Sequence, residues 1–447
     1  MKDPFLTLRP CRTRGGIHPP HRKNTSALET VALPTPEKVY IPMQMHIGAP
    51  CTPTVAVGDH VLIGDKIGDS EAPVSAPIYA SVSGDVTGIY PMTLGGGARA
   101  TVVEITSDGA CERANMTPPT VTDKASFLAA VRKAGLVGLG GAGFPMHVKL
   151  NVPAGKQVDT LLINLAECEP YLTGDHRTAL ENGDDVIAGV TAVLDYLAIS
   201  RAIICVERNK PDAIAHLRAL AEESSSARER VRVLPLKASY PQGAEKVLIS
   251  AATGREVPIG GLPADAGCIV LNVTGAAALG RYLKTGIPLT TKRVTVDGDA
   301  VLRPANLFVP IGTRVSDVLA FCGLCEEPRR VLMGGPMMGI ALTDTDVPLV
   351  KNNNGILAFT EAGSRTYTES ACIRCGRCVS VCPMGLAPHL LARAAMRGDT
   401  DVLSKEGLLS CMECGCCAYS CPARRPLVQS MRVGKGLLRE KMTQKKG

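Results

Sequence analysis

Nine of the 17 cysteines in this 447-residue chain fall between residues 372 and 421, and their spacing is its strongest chemical signal. The run Cys372-x-x-Cys375-x-x-Cys378-x-x-x-Cys382-Pro383 returns 39 positions later as Cys411-x-x-Cys414-x-x-Cys417-x-x-x-Cys421-Pro422, an internal duplication. Three thiolates at this spacing can wrap one [4Fe–4S] cubane on a tight loop, while the fourth, past the turn, points away. In chains with two such runs that fourth cysteine ligates the other cluster. One cluster is thus assigned to Cys372, Cys375, Cys378 and Cys421, and a second to Cys382, Cys411, Cys414 and Cys417. Structural zinc, the alternative, usually pairs two CxxC units about 12–20 residues apart. Cys416 has no place in the pattern. Arg374, Arg377, Arg424 and Arg425 lie close by, either raising the cluster potentials by their charge or forming a solvated face. Something must deliver single electrons to such clusters.

A second candidate is Gly138-Leu139-Gly140-Gly141-Ala142-Gly143-Phe144-Pro145, which satisfies G-x-G-x-x-G. A dinucleotide fingerprint should follow a strand and open a helix. Here a helix-like stretch at 127–134 precedes it, and Pro145 and Pro153 limit any helix after it. The glycines suit an irregular loop whose bare N–H groups approach a phosphate or a flat ring, with plain turn chemistry as the alternative. Asn164-Leu165-Ala166-Glu167-Cys168-Glu169-Pro170 follows an apolar strand. It sets an amide and two carboxylates at the C-terminal end, where open α/β sheets bind ligands.

The elements that must position these groups divide the chain into several units. Its length suits roughly three domains, and 45% apolar against 20% charged residues excludes wholesale disorder. With 3% aromatics and no Trp, a base-stacking nucleic-acid platform is not expected. No run of about 18 apolar residues occurs, and the N-terminus lacks the apolar core of a secretory signal, so a cytosolic-side protein is expected. Residues 1–30 read as an extended basic arm. Residues 31–115 alternate short Val/Ile strands with Gly-Asp turns and read as a small β sandwich. Residues 120–290 alternate helix (126–134, 185–199, 211–222) with strand (159–165, 201–206, 231–236, 268–273), an α/β domain with a mostly parallel sheet. A smaller strand–strand–helix unit at 291–350 precedes the cysteine module at 360–435. The tail, 436–447, ends a stretch from Arg424 that carries eight cations and one acid, the whole net charge of +7. Such an end reads as solvated, or as a contact for anionic lipid or an acidic partner.

These motifs carry a resemblance. GLGGAGFP with Lys149 five residues after Phe144, NLAECEP, and Tyr240-Pro241-Gln242-Gly243-Ala244-Glu245 resemble the flavin- and NADH-binding subunit of complex I. Ala166 and Ala244 depart from that pattern, replacing an Asp and a Glu. The stretch from Val55 to Val86 resembles a biotinyl/lipoyl hairpin domain without its modified lysine, since Lys66 falls in the preceding strand. The Gly15-Gly16-Ile17-His18-Pro19-Pro20-His21-Arg22-Lys23 arm and the order of the units are similar to the C subunits of Rnf complexes, ion-translocating ferredoxin:NAD oxidoreductases, over about residues 10 to 435. The resemblance implies a multidomain α/β fold: a lipoyl-like β sandwich, a central α/β flavin domain, a β-grasp domain and a helical two-cluster ferredoxin module.

It also implies non-covalent FMN, with NAD(H) as substrate and no catalytic side chain, since hydride transfer belongs to the flavin. Gly138, Gly140, Gly141 and Gly143 would form the loop at the flavin, and Lys149 would face a phosphate or the reduced ring. Asn164, Glu167, Tyr240, Gly243, Glu245, Asn272 and Thr274 would line the remainder. Phe144 would stack on the nucleotide, or anchor the loop, and Glu169 would accept from the nucleotide. Partners would be integral-membrane and iron–sulfur or flavin subunits, with ferredoxin or flavodoxin reached indirectly, at the cytoplasmic face of the inner membrane. Two rivals stay open: a flavin/iron–sulfur cobalamin reductase, which shares the middle and C-terminal parts, and a non-catalytic iron–sulfur adaptor, kept alive by Ala166 and Ala244.

Overall fold

The structure, a computed structural model, describes residues 8–444. The N-terminal sandwich has two antiparallel sheets. One runs Lys38–Pro42, Arg99–Ser107, Gly84–Thr93, His60–Val61, and the other Thr52–Pro53, Lys66–Asp69, Ile78–Tyr79. Alternation turns Val39, Ile41, Val103 and Ile105 inward. Lys66 lies in a strand, paired with Asp69 at 2.9 Å.

The central domain is built on four parallel strands in the order Val231–Leu236, Arg201–Glu207, Thr160–Leu165, Cys268–Asn272. Helices cover both faces, so the inner strands are apolar throughout rather than alternating. Two of these helices, Gly183–Tyr196 and Val273–Thr285, approach closely because glycines face each other. A Cβ on Gly189 would lie 2.0 Å from the Ala276 carbonyl oxygen, and one on Gly280 2.1 Å from that of Asp185.

The β-grasp unit pairs Thr291–Asp297 with Ala305–Pro310 and, in parallel, with Gly355–Phe359, followed by Arg330–Met333 and Ile340–Leu342. Its sheet therefore runs past residue 350 to Phe359. The sixth strand is Thr30–Ala32, parallel to Ala305–Pro310. Sequence pattern places those residues at the border of arm and sandwich. They instead complete a sheet whose other strands lie some 260 residues on, a pairing no local pattern announces.

The cysteine module ends in the 18-residue helix Leu427–Gln444. The expected solvated tail is helical as far as it is described. Leu427, Met431 and Leu438 are buried against Leu391, Leu403 and Leu408, and Lys441 pairs with Asp401 at 2.7 Å. Lys445 and Lys446 lie outside the described residues.

The arm crosses these units. Its Cys11 amide donates to Ala251, Gly16 donates to Val381, and Ile17 pairs with Tyr240 in both directions. Asn306 of the β-grasp sheet donates back to the carbonyl of Thr25.

Candidate functional site

Asn164, last but one in the strand Thr160–Leu165, and Asn272, last in the adjacent parallel strand, sit side by side in register. Asn164 donates to the Gly243 carbonyl at 2.8 Å and accepts from the Ala166 amide at 3.1 Å. Asn272 caps the helix Val273–Thr285 by accepting from the Thr274 amide at 2.9 Å. Gly243 carries no side chain for a spatial reason: a Cβ there would lie 2.3 Å from the Ala166 carbonyl oxygen.

The glycine loop lies beside these strand ends. Gly140 and Gly141 are exposed. A Cβ on Gly140 would stand 2.9 Å from Asn272 Nδ2, whereas one on Gly141 would meet nothing within 4 Å. Gly143, at φ +72°, makes the turn, and its carbonyl accepts from Ile47 of the sandwich. Asn352 clamps the Gly141 carbonyl at 2.8 Å. The helix Lys124–Lys133 precedes the loop and only the five-residue helix Met146–Leu150 follows it, so the fingerprint has no dinucleotide context. Phe144 is 36% exposed at the loop's end. Lys149 forms a 2.6 Å ion pair with Glu245.

The two motif carboxylates face different ways. Glu167 is buried and accepts from the amides of Asp175 at 2.9 Å and His176 at 3.3 Å. Glu169 accepts from the Met337 amide at 3.0 Å, its other oxygen is buried without a hydrogen-bond partner among the described residues, and burial pushes its pKa up to about 7. Tyr240, expected beside the flavin, faces the cysteine module. It is buried, and its hydroxyl donates to the carbonyl of Cys414 at 2.7 Å. Its backbone pairs with Ile17, and the neighbouring Gly16 donates to Val381, which together hold the segment against the cysteine module.

Two site residues escape a reading of the sequence. Asp175 accepts from Asn272 Nδ2 and Thr274 Oγ1, both at 2.7 Å; burial, with the Glu167 charge adding to it, pushes its pKa up. Lys23 reaches from the arm to donate to the carbonyls of Glu167 and Glu169, both at 2.8 Å, and of Leu172. Asp175 reads locally as an ordinary helix start, and Lys23 as one cation in a basic stretch.

The duplicated run closes around two cavities. Cys372, Cys375, Cys378 and Cys421 line one, with His389. Cys382, Cys411, Cys414 and Cys417 line the other, together with Cys416. Each cavity thus gathers the exchanged set of four thiols, a soft donor set that fits a cubane. For FMN, the fit rests on the open glycine cradle and on the orphaned Glu169 oxygen past the end of the strand Thr160–Leu165.

Comparison with known proteins matches these units in order. Residues 11–110 match the RnfC barrel sandwich hybrid domain, 131–281 the Nuo51 FMN-binding domain, 293–341 the SLBB domain and 365–423 a 4Fe-4S dicluster domain. The chain is 44% identical to the C subunit of the proton-translocating ferredoxin:NAD(+) oxidoreductase complex of Clostridium ljungdahlii, over 94% of this chain and 93% of that one. It is 43% identical to the Na(+)-translocating counterpart of Acetobacterium woodii (94% and 96%), and 40% identical to the C subunit of the ion-translocating oxidoreductase complex of Rhodobacter capsulatus (99% and 86%). Among solved structures, an H2-reduced NAD+-reducing [NiFe]-hydrogenase superposes with a TM-score of 0.51 at 19% identity, over 72% of this chain and 64% of that one, a likeness of fold. Among the described residues no helix is long and apolar enough to cross a membrane. Full-length identity and the same four units in the same order make this chain a member of the family of C subunits of Rnf-type ion-translocating ferredoxin:NAD oxidoreductase complexes.

Proposed function

We propose that this chain exchanges hydride between NAD(H) and FMN and passes single electrons through two [4Fe–4S] clusters, as a peripheral subunit of an ion-translocating complex. Its partners would be the integral-membrane and iron–sulfur or flavin subunits of that complex, at the cytoplasmic face of the membrane. When bound, FMN couples a two-electron donor to one-electron acceptors. The observation that carries the reading is the Tyr240–Cys414 hydrogen bond, which seats the loop of one four-cysteine cavity directly on the flavin domain.

The chain's own groups divide the work. The bare glycines leave room for a ring or phosphate, and Lys149, on the short helix that follows them, offers a cation whose present partner, Glu245, is exchangeable at a partly exposed site. Asn164, Asn272 and Thr274 are fixed donors or caps at the strand ends, with Asp175 orienting the last two. Lys23 holds the 167–172 loop by three carbonyls. Glu169, with its pKa near 7, can keep or release a proton at its unpartnered oxygen near neutral pH. Phe144 is exposed enough to stack on a nucleotide.

The test is anaerobic addition of NADH to purified, cofactor-loaded protein. Flavin bleaching followed by cluster reduction supports the proposal. Clusters without bound flavin would leave the electron-transfer adaptor instead, and absence of both would overturn the redox reading.

A further inference from the structure

The two halves of the duplicated cysteine run sit in opposite surroundings. In the second half, Cys414, Gly415 and Cys416 are all buried. Tyr240 donates to the Cys414 carbonyl, the Cys416 thiol lies 3.7 Å from the Tyr240 carbonyl oxygen, and a Cβ on Gly415 would stand 3.1 Å from that of Met337. The corresponding residues 39 positions earlier, Cys375, Gly376 and Arg377, are all exposed, and a Cβ on Gly376 would meet nothing within 4 Å. Backbone shape does not explain the contrast, since Gly376 and Gly415 share φ values of +75° and +81°. What differs is the cover.

The side chains differ in the same sense. Glu413 is held by Arg432 at 2.9 Å and Lys435 at 2.7 Å. Its counterpart, Arg374, is exposed and has no ion-pair partner among the described residues, and neither has Arg377. Ile373 is 69% exposed beside them and Tyr419 48%. Arg424 lies over the exposed Tyr367 ring, 4.1 Å from its centroid. An open concavity lined by Arg377, Val381, Tyr419 and Arg424 adjoins this face.

From this juxtaposition we infer that the uncovered face of the first half, centred on Ile373, Arg377, Tyr419 and Arg424, docks another member of the complex that presents carboxylates around a one-electron carrier. It rests on the cluster reading above. An exposed apolar centre ringed by arginines has the make-up of a protein interface, and guanidinium forks pair with carboxylates in two parallel bonds. The covered half demonstrates within this same chain what such a loop does: it seats on a neighbouring redox domain. The step is one electron with no proton or atom transferred. The cluster is oxidised by one as the partner's carrier is reduced by one, or the reverse.

The test uses the cofactor-loaded full chain in complex with its other subunits, comparing wild type, Arg377→Glu/Arg424→Glu and Tyr419→Asp. Electron delivery onward should fall at least tenfold in the double variant and severalfold in Tyr419→Asp, while iron content and NADH bleaching of the flavin stay unchanged. Arg377→Lys/Arg424→Lys should keep most of the rate at low salt and lose it as salt rises. Delivery within twofold of wild type in both the charge-reversed and the Tyr419→Asp chains, with iron intact, overturns the docking surface alone. A wild-type chain without iron or sulfide overturns the cluster reading beneath it.

Discussion

The hydroxyl of Tyr240 and the carbonyl of Cys414 lie 2.7 Å apart across the boundary between two domains, both ends of the bond buried. A neutral hydrogen bond of this kind contributes about 1 kcal/mol net, or roughly fivefold in a docking equilibrium. Tyr240→Phe keeps the ring and loses only the bond. Flavin and iron should be retained and the NADH-driven bleaching rate unchanged, while rapid-mixing spectra should show electrons reaching the clusters a few times more slowly. An unchanged cluster reduction rate would remove this contact from the route.

Gly140 stands where a side chain would press on Asn272, 2.9 Å from a built Cβ. In Gly140→Val the loop must move off the strand ends or fill the space a cofactor needs. The purified variant should contain less than a tenth of the wild-type flavin at an unchanged thermal midpoint. Lys149→Ala removes the cation paired with Glu245 and should lower flavin content in the same assay. Stoichiometric FMN in either variant would place the flavin elsewhere.

Cys378 lines the first cavity and none of the second. Cys378→Ser should halve iron and sulfide from about eight to about four per chain by the ligand count, leaving flavin content intact. Loss of both clusters together would contradict the separate sets of four.

Glu169 titrates near 7, raised by burial above the ordinary carboxylate value of about 4.3. Between those values the native protein keeps a proton that the unfolded chain has released, so this group lowers stability as pH rises from about 4.5 to about 7. The loss, complete above that window, is up to about 3 kcal/mol. Glu169→Gln can still accept from Met337 without charge. Its thermal midpoint should exceed that of wild type at pH 8 and approach it at pH 5. A gain of equal size at both pH values would show that the carboxylate ionises freely.

What is legible in the chain is what local spacing encodes. The cysteine run predicts its own exchanged sets because three ligands share one loop, and the parallel strands declare themselves as unbroken apolar segments between helical ones. The glycine loop fails its dinucleotide test on neighbours alone. The contacts of Tyr240 are beyond such a reading because they depend on Ile17 and Cys414, each more than 170 residues away in sequence. Lys23 is unreadable for the same reason, its acceptors lying near residue 170. The helix Leu427–Gln444 differs: Leu427, Met431, Gly434 and Leu438 repeat at helical spacing, a signal hidden under the density of cations.

The arm's contacts set an order of events in folding. Residues 16–32 are held by the Tyr240 segment, by the strand Ala305–Pro310 and by the carbonyl of Val381, next to Cys382. Each of these partners lies more than 200 residues further along the sequence, so the arm is among the last segments to settle. Until then the seam beside the second four-cysteine cavity stands unlatched. The arm is thereby a strap that closes only when the flavin, β-grasp and cysteine units are all in place.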